Sequence, residues 1–255
     1  MKRWIFNFNR TFLDKILKDG VYPKTIHLFH HYFKDESNYL INFIRFAHEK
    51  GYIVKGYDHI QEQGEKVVYL SFDDNYESWY EMAQLLKEEG ARCTFFINLA
   101  PYLMSNSQLN AYYESSGLPS GKPIKLDQIS ELIQEGFDFG NHGLSHIPYG
   151  QVKLSHVKTD LDLNRNYFQE HFRIKLTNVA FPYGSMRYFK NEWIDEISTE
   201  FGRIYAGHPL YQPKKNDQLV FRSPLYVDQS FEFNLKLQKV KWLNPILTLG
   251  KSLIG

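Results

Sequence analysis

An α/β fold built on a parallel sheet is what this sequence predicts, and three observations predict it. Short apolar runs of strand length alternate with segments whose apolar residues recur at helical spacing. The residues richest in chemistry, Asp73-Asp74 and His142, stand at the ends of two such runs, where a parallel α/β barrel gathers its functional groups. The chain has 255 residues, 43% of them hydrophobic and 16% aromatic, enough for one barrel with a filled core.

In chain order, Thr25 to His30 reads as the first strand, and the helix after it, about Tyr39 to Lys50, carries Leu40, Ile41, Phe43, Ile44 and Ala47 before Gly51. Val67 to Phe72 is a second strand ending on Asp73-Asp74. Glu77 to Glu89 then turns helical, with Trp79, Met82, Leu85 and Leu86 on one stripe and Gly90 as its stop. Thr94 to Leu99 is the third strand. Pro101 to Pro123, rich in Ser, Asn, Gly and Tyr, reads as a long connection flanking a cleft. A helix over Asp127 to Glu135 closes at Gly136, and the strand Phe137 to Asn141 leads to His142. Helices at Val152 to Phe172 and Asn191 to Phe201 alternate with strands at Thr177 to Phe181, Arg203 to Ala206 and Leu219 to Arg222. The chain is expected to form a single domain, 1–255, with a core of about 25–228 and short extensions at both ends. Met1 to Gly20 and Asn234 to Ile254 read as elements packed on the bottom of the barrel, with a peripheral membrane contact as the alternative.

Charge and cysteine usage narrow the partners. Lys and Arg number 30 against 29 Asp and Glu, a formal net charge of +1, so nucleic acid is not an expected partner. The single Cys93 excludes an internal disulfide and sits in an apolar strand, where an inert buried thiol is expected. No run reaches membrane-spanning length. Polar residues interrupt the apolar stretch after Lys2-Arg3 before it reaches signal-core length, and a cytoplasmic location is expected. Composition says nothing of the oligomeric state.

Ser71-Phe72-Asp73-Asp74-Asn75 and His142-Gly143-Leu144-Ser145-His146 together have the grammar of a metal site. Adjacent acids on an extended chain point to opposite sides, so one can bind a cation while the other stays free as a base. Two histidines four apart can grip one cation, and imidazole with carboxylate suits Zn2+ or a similar metal while leaving positions for water and substrate. The chemistry this points to is metal-assisted hydrolysis.

These motifs resemble those of the polysaccharide deacetylases with NodB homology, carbohydrate esterase family four, over roughly Thr25 to Asp228. The resemblance implies a distorted (β/α)7-type barrel, the NodB-homology fold, and a metal-dependent hydrolase removing an N-acetyl group from an amino sugar or glycan. It makes Asp73 the catalytic base and Asp74, His142 and His146 the metal ligands. The metal would be Zn2+, with Co2+, Ni2+ or Mn2+ as alternatives. A third motif, Arg-x-Pro-Tyr, stands here as Phe181-Pro182-Tyr183 without its Arg, and Tyr183 would offer its backbone N–H to the oxyanion. Arg222 is the candidate for steadying the base in place of that Arg, against the plain reading of an exposed Arg. Gly143 replaces the usual Ser or Thr and loses a hydroxyl that would brace its loop. The usual late Leu-x-His is absent. Thr25-Ile26-His27-Leu28-Phe29-His30-His31-Tyr32 instead resembles the Tyr-His motif that opens the circularly permuted, poly-N-acetylglucosamine deacetylase-like branch. That places the general acid at His30, with Ile26 and Leu28 on its cleft-facing side and His31 turned away. His31 follows as second candidate and His208 as third. A catalytically inactive carbohydrate-binding protein on the same fold and an O-deacetylase or small-amide hydrolase are the competing readings.

Overall fold

The computed structural model describes residues 22–31, 34–58, 64–115, 120–184, 189–207 and 218–236. The strands are β1 (Thr25–His30), β2 (Tyr52–Lys55), β3 (Lys66–Asp74), β4 (Thr94–Ile97), β5 (Asp138–Asn141), β6 (Val179–Ala180), β7 (Ile204–Ala206), β8 (Leu219–Phe221) and β9 (Ser223–Pro224). The helices are α1 (Ser37–Glu49), α2 (Ser78–Glu88), α3 (Asn106–Ser115), α4 (Leu126–Gln134), α5 (Leu154–Phe172), α6 (Ile194–Phe201) and α7 (Phe231–Lys236). All strand pairings are parallel, in the order β8-β7-β6-β5-β4-β3-β1-β9 with β2 added beside β3.

The two ends of that order belong to one stretch of chain. β8 pairs with β7, and after the single residue Arg222 β9 pairs with β1, so the segment 219–224 hands over from one edge to the other at Arg222. The sheet is thereby nearly closed into a barrel with helices around it. The strand expected through Arg222 therefore splits at that residue, whose N–H donates to the Ala206 carbonyl at 2.8 Å.

The main apolar core lies outside the sheet, under the helices. Ile26 and Leu28 of β1 and Val68, Leu70 and Phe72 of β3 join Leu40, Phe43, Ile44 and Ala47 of α1 and Trp79, Met82, Ala83 and Leu86 of α2 in one buried cluster. The α2 spacing is that of a single helical stripe, and each such side chain contributes about 1.5–3 kcal/mol on burial. Residues between these on the strands face inward. There Phe96, Ala180 and Tyr205 pack with Tyr57 and Val220, and His27, Tyr69 and Tyr57 stack on one another. The barrel interior is thus aromatic and polar, and the helix-facing layer is apolar, aliphatic and aromatic together.

Two elements differ from expectation. β2 is an extra strand on the edge of β3, and the segment expected as a connection from Pro101 carries a short 3-10 turn, Ala100–Leu103, and then α3. Of Asn234 to Ile254, only 234–236 falls within the described residues: Leu235 joins the main core cluster and the Asn234 side-chain amide donates to the Tyr39 hydroxyl of α1 at 2.8 Å. Met1 to Gly20 lies outside them. Among the described residues no helix is long and apolar enough to cross a membrane.

Candidate metal centre and cleft

β3 ends on both acids, and the backbone separates them. Ser71 and Asp73 face the barrel interior, in step with Tyr69. Asp74 then departs from the strand with φ 84, so the two carboxylates diverge through a left-handed residue rather than by simple alternation. Four non-glycine residues among those described have positive φ, and three of them are Asp74, His146 (φ 51) and Tyr183 (φ 63). Such conformations cost about 1–3 kcal/mol each and persist where the surroundings over-determine them. At Asp74 the surroundings do so: its carbonyl accepts the Asn98 N–H at 3.3 Å, and the Asn75 amide donates to the Asn98 carbonyl at 2.9 Å and accepts the Ile124 N–H at 3.0 Å.

Asp74, His142 and His146 form the one metal-ligand cluster found among the described residues, each offering a ligand atom within 4.8 Å of the others. The Nε2 atoms of His142 and His146 stand 3.4 and 3.0 Å from Asp74 Oδ1. His142 turns its Nδ1 to the Ala180 carbonyl at 2.8 Å, which puts the proton on Nδ1 and leaves the Nε2 lone pair facing Asp74. Both Asp74 carboxylate oxygens are buried and accept no hydrogen bond. A buried carboxylate without donors beside two imidazole nitrogens fits a divalent cation such as zinc. Burial opposes the Asp74 charge, but the imidazoles of His31, His142 and His146 outweigh it and hold the carboxyl well below its ordinary range. Burial also works against a charged His142, and the carboxylates of Asp74 and Asp73 reverse the balance and raise its pKa.

Asp73 has a different environment. Arg222 donates to both of its oxygens, at 2.6 and 2.7 Å, and also to Ser71 Oγ at 2.9 Å. Arg222 is fully buried, its guanidinium 4.8 Å from the Phe29 ring and 5.0 Å from the Phe96 ring. The handover between β8 and β9 is what points it inward, and the reading of an exposed Arg does not hold.

The structure reverses the expected orientation of the paired histidines. Ile26 and Leu28 face the helices, and His30 shares that side, its ring beside Phe72 and its Nε2 2.6 Å from Glu36 Oε2. His31 points to the metal cluster, with Nε2 3.5 Å from Asp74 Oδ2. The physical reason is the location of the core: the apolar face of a barrel strand looks out to the helices, so the cleft belongs to the residues between. Burial lowers the His31 pKa, and the neighbouring carboxylates only partly restore it. His208 lies outside the described residues.

Tyr183, beyond Pro182 at the end of β6, lays its ring 4.9 Å from that of His146 and is 42% exposed. Tyr112 of α3 meets the same imidazole edge-on at 6.2 Å, a contact that reading 101–123 as a plain connection missed. The hydroxyl absent at Gly143 has a substitute as well. Asp160 of α5 accepts the N–H groups of Leu144 and Ser145 at 2.9 and 3.1 Å, and so braces that loop with a carboxylate.

Comparison with known proteins follows the same lines. The family model for polysaccharide deacetylase matches residues 60–202. No curated protein sequence matches this one. Among solved structures, the Streptococcus pyogenes deacetylase PplD in complex with acetate superimposes with a TM-score of 0.60 at 18% identity, covering 86% of this chain and 97% of that one. IcaB from Ammonifex degensii gives 0.57 at 17% identity over 89% and 98%. A de-N-acetylase from Aggregatibacter actinomycetemcomitans gives 0.56 at 18% identity over 81% and 95%. At these identities the likeness concerns the fold.

Proposed function

The chain belongs to the polysaccharide deacetylase family, and from that premise we propose that it is a metal-dependent N-deacetylase that hydrolyses the acetamido group of an amino sugar or glycan and releases acetate. The observation that carries this reading is the pairing of two differently held acids: Asp74 facing two imidazoles with no donor of its own, and Asp73 clamped by Arg222 beside it.

Asp74, His142 and His146 would hold the cation, which when bound supplies Lewis acidity toward water and the amide carbonyl. Asp73 takes the proton of the attacking water. Its two bonds to Arg222 fix the carboxylate's orientation. The Tyr183 N–H, at a left-handed residue beside His146, is the donor assigned to the developing oxyanion. His31 replaces His30 as general acid, because its Nε2 stands 3.5 Å from Asp74 Oδ2, on the other carboxylate oxygen from the one that His142 and His146 face. An acid standing directly after the first strand is also what supports placing the chain in the permuted branch. The exposed Tyr183 ring offers a face on which a sugar ring can stack.

The test is an acetate-release screen over N-acetylated amino sugars, chitooligosaccharides, sugar nucleotides and lipid-linked glycans, with metal-stripped protein and after zinc is restored. Zinc-dependent release from an N-acetylated substrate is expected. Silence on every substrate with zinc bound would overturn the enzyme reading in favour of a binding protein, and release from O-acetyl esters alone would change the bond. Separately, His142→Ala and His146→Ala should each abolish stoichiometric zinc, since one of three protein ligands is gone. Full zinc content in either variant, by elemental analysis, would sink the site.

A further inference from the structure

The loop between the two metal-facing histidines has no side chain at its first position and a buried carboxylate in the space that side chain would fill. A Cβ built on Gly143 would lie 2.3 Å from Asp160 Oδ2 and 2.3 Å from the Tyr149 hydroxyl, and Gly143 has φ +74. Asp160 accepts four hydrogen bonds: Leu144 N–H at 2.9 Å, Ser145 N–H at 3.1 Å, Ser145 Oγ–H at 2.6 Å and Tyr149 O–H at 2.9 Å. It is 6% exposed, so its oxygens are satisfied by these donors rather than by water.

We propose that Asp160 is a positioning residue for the metal site, a carboxylate that shapes the turn from His142 to His146 in place of a side chain at position 143. The proposal rests on the metal reading above. The turn runs from a buried strand end to His146 at φ 51, a conformation that holds only if neighbours impose it. α5 imposes it with two successive turns. Asp160 grips residues 144 and 145, and Asn164, one turn later, donates to the Ile97 carbonyl and to Asn141 Oδ1, each at 2.8 Å. Asn141 Oδ1 in turn accepts the Gly143 N–H at 2.9 Å, and Asn141 Nδ2 donates to the Leu161 carbonyl at 2.8 Å. Both ends of the turn are therefore tied to one 19-residue helix. A side chain at 143 and a carboxylate at 160 exclude each other sterically, so glycine here is a requirement of this brace.

The experiment measures zinc affinity by chelator competition, the visible absorption of the cobalt-loaded protein, and the unfolding midpoint of the metal-free protein. Asp160→Asn should weaken zinc binding at least tenfold and alter the cobalt spectrum, because the histidines lose their preset geometry. Gly143→Ser should do the same through the clash. In Gly143→Ser/Asp160→Ala the clash with the carboxylate is relieved while that with the Tyr149 hydroxyl remains, so the loss should still be smaller than the product of the two single effects. Ser145→Ala, which removes one donor and leaves the fold intact, should weaken zinc several-fold and covers the case in which Asp160→Asn does not fold. Zinc affinity and cobalt spectrum unchanged in Asp160→Asn, or in Ser145→Ala if that variant alone folds, would overturn the proposal whatever the unfolding midpoint does. A wild-type chain that takes up no zinc would overturn the metal reading, and this proposal with it. None of these readouts involves substrate, so failure of the deacetylase reading is separately visible.

Discussion

Asp73 and Asp74 are neighbours in sequence with opposite surroundings, and their variants should separate accordingly. Asp73→Asn leaves the metal cluster untouched but replaces a charged acceptor of two Arg222 bonds, so zinc content should persist while turnover falls by about 10²–10⁴-fold. Asp74→Asn should lose both. Equal zinc loss in the two, by elemental analysis, would show the division to be wrong. The histidine pair gives a second contrast. His31→Ala should cut turnover by roughly a hundredfold with zinc retained, whereas His30→Ala, which removes a partner of Glu36 on the helix side, should leave most of it. The reverse result in kinetics would return the acid to His30. The grouping of Asp74, His142 and His146 was legible in the sequence through their motifs and the family resemblance those motifs carry. The facing of His30 and His31 was not: alternation fixes that they diverge, but only the location of the aliphatic core says which one turns inward. Arg222 was legible as a candidate and no more, because its burial depends on a strand changing partners.

Elements with a long apolar stripe were the easiest to read, and α1, α2, α4, α5 and α6 lie within a few residues of their expected bounds. β2 was missed because Tyr52–Lys55 is four residues on an edge, too short for its alternation to stand out. α3 was missed because its polar residues give only a weak stripe, and its place is set by Tyr112 and Tyr113 packing under the cleft. β6, one of the two shortest strands, is held less by its two residues than by what abuts it. Gly202, which ends α6 at φ +84, presses on the carbonyl of Thr177 just before β6: a Cβ there would lie 1.9 Å from that oxygen. No flexible side chain can move aside, so Gly202→Ala should destabilise the protein by more than about 2 kcal/mol, through clash and backbone strain together. Gly90→Ala, at φ +68 with open space around it, should lose only about 1 kcal/mol. Similar losses at the two sites in urea unfolding would contradict the close approach.

At the scale of the whole barrel, the apolar layer outside and the aromatic, polar filling inside give stability a pH dependence that a wholly apolar interior would lack. His27 stacks on Tyr69 at 5.1 Å and on Tyr57 at 5.8 Å inside the barrel, and burial, aided by the positive charges of Arg222 and Arg203, pushes its pKa down to about 4. Unfolded, the same imidazole titrates near 6.5. Above that value it is neutral in both states and favours neither. Between 6.5 and about 4 the unfolded chain binds a proton that the folded one refuses, so stability falls as the pH drops through that window. His31 contributes in the same direction and His142, whose pKa is raised, in the opposite one, so the wild-type profile alone does not isolate His27. His27→Phe does, because a phenyl ring keeps the stack and cannot titrate. The wild-type protein should lose roughly 1–2 kcal/mol more than this variant between pH 7 and pH 5 in urea unfolding. Parallel profiles for the two proteins would mean that His27 is as readily protonated folded as unfolded, and that the barrel interior admits water.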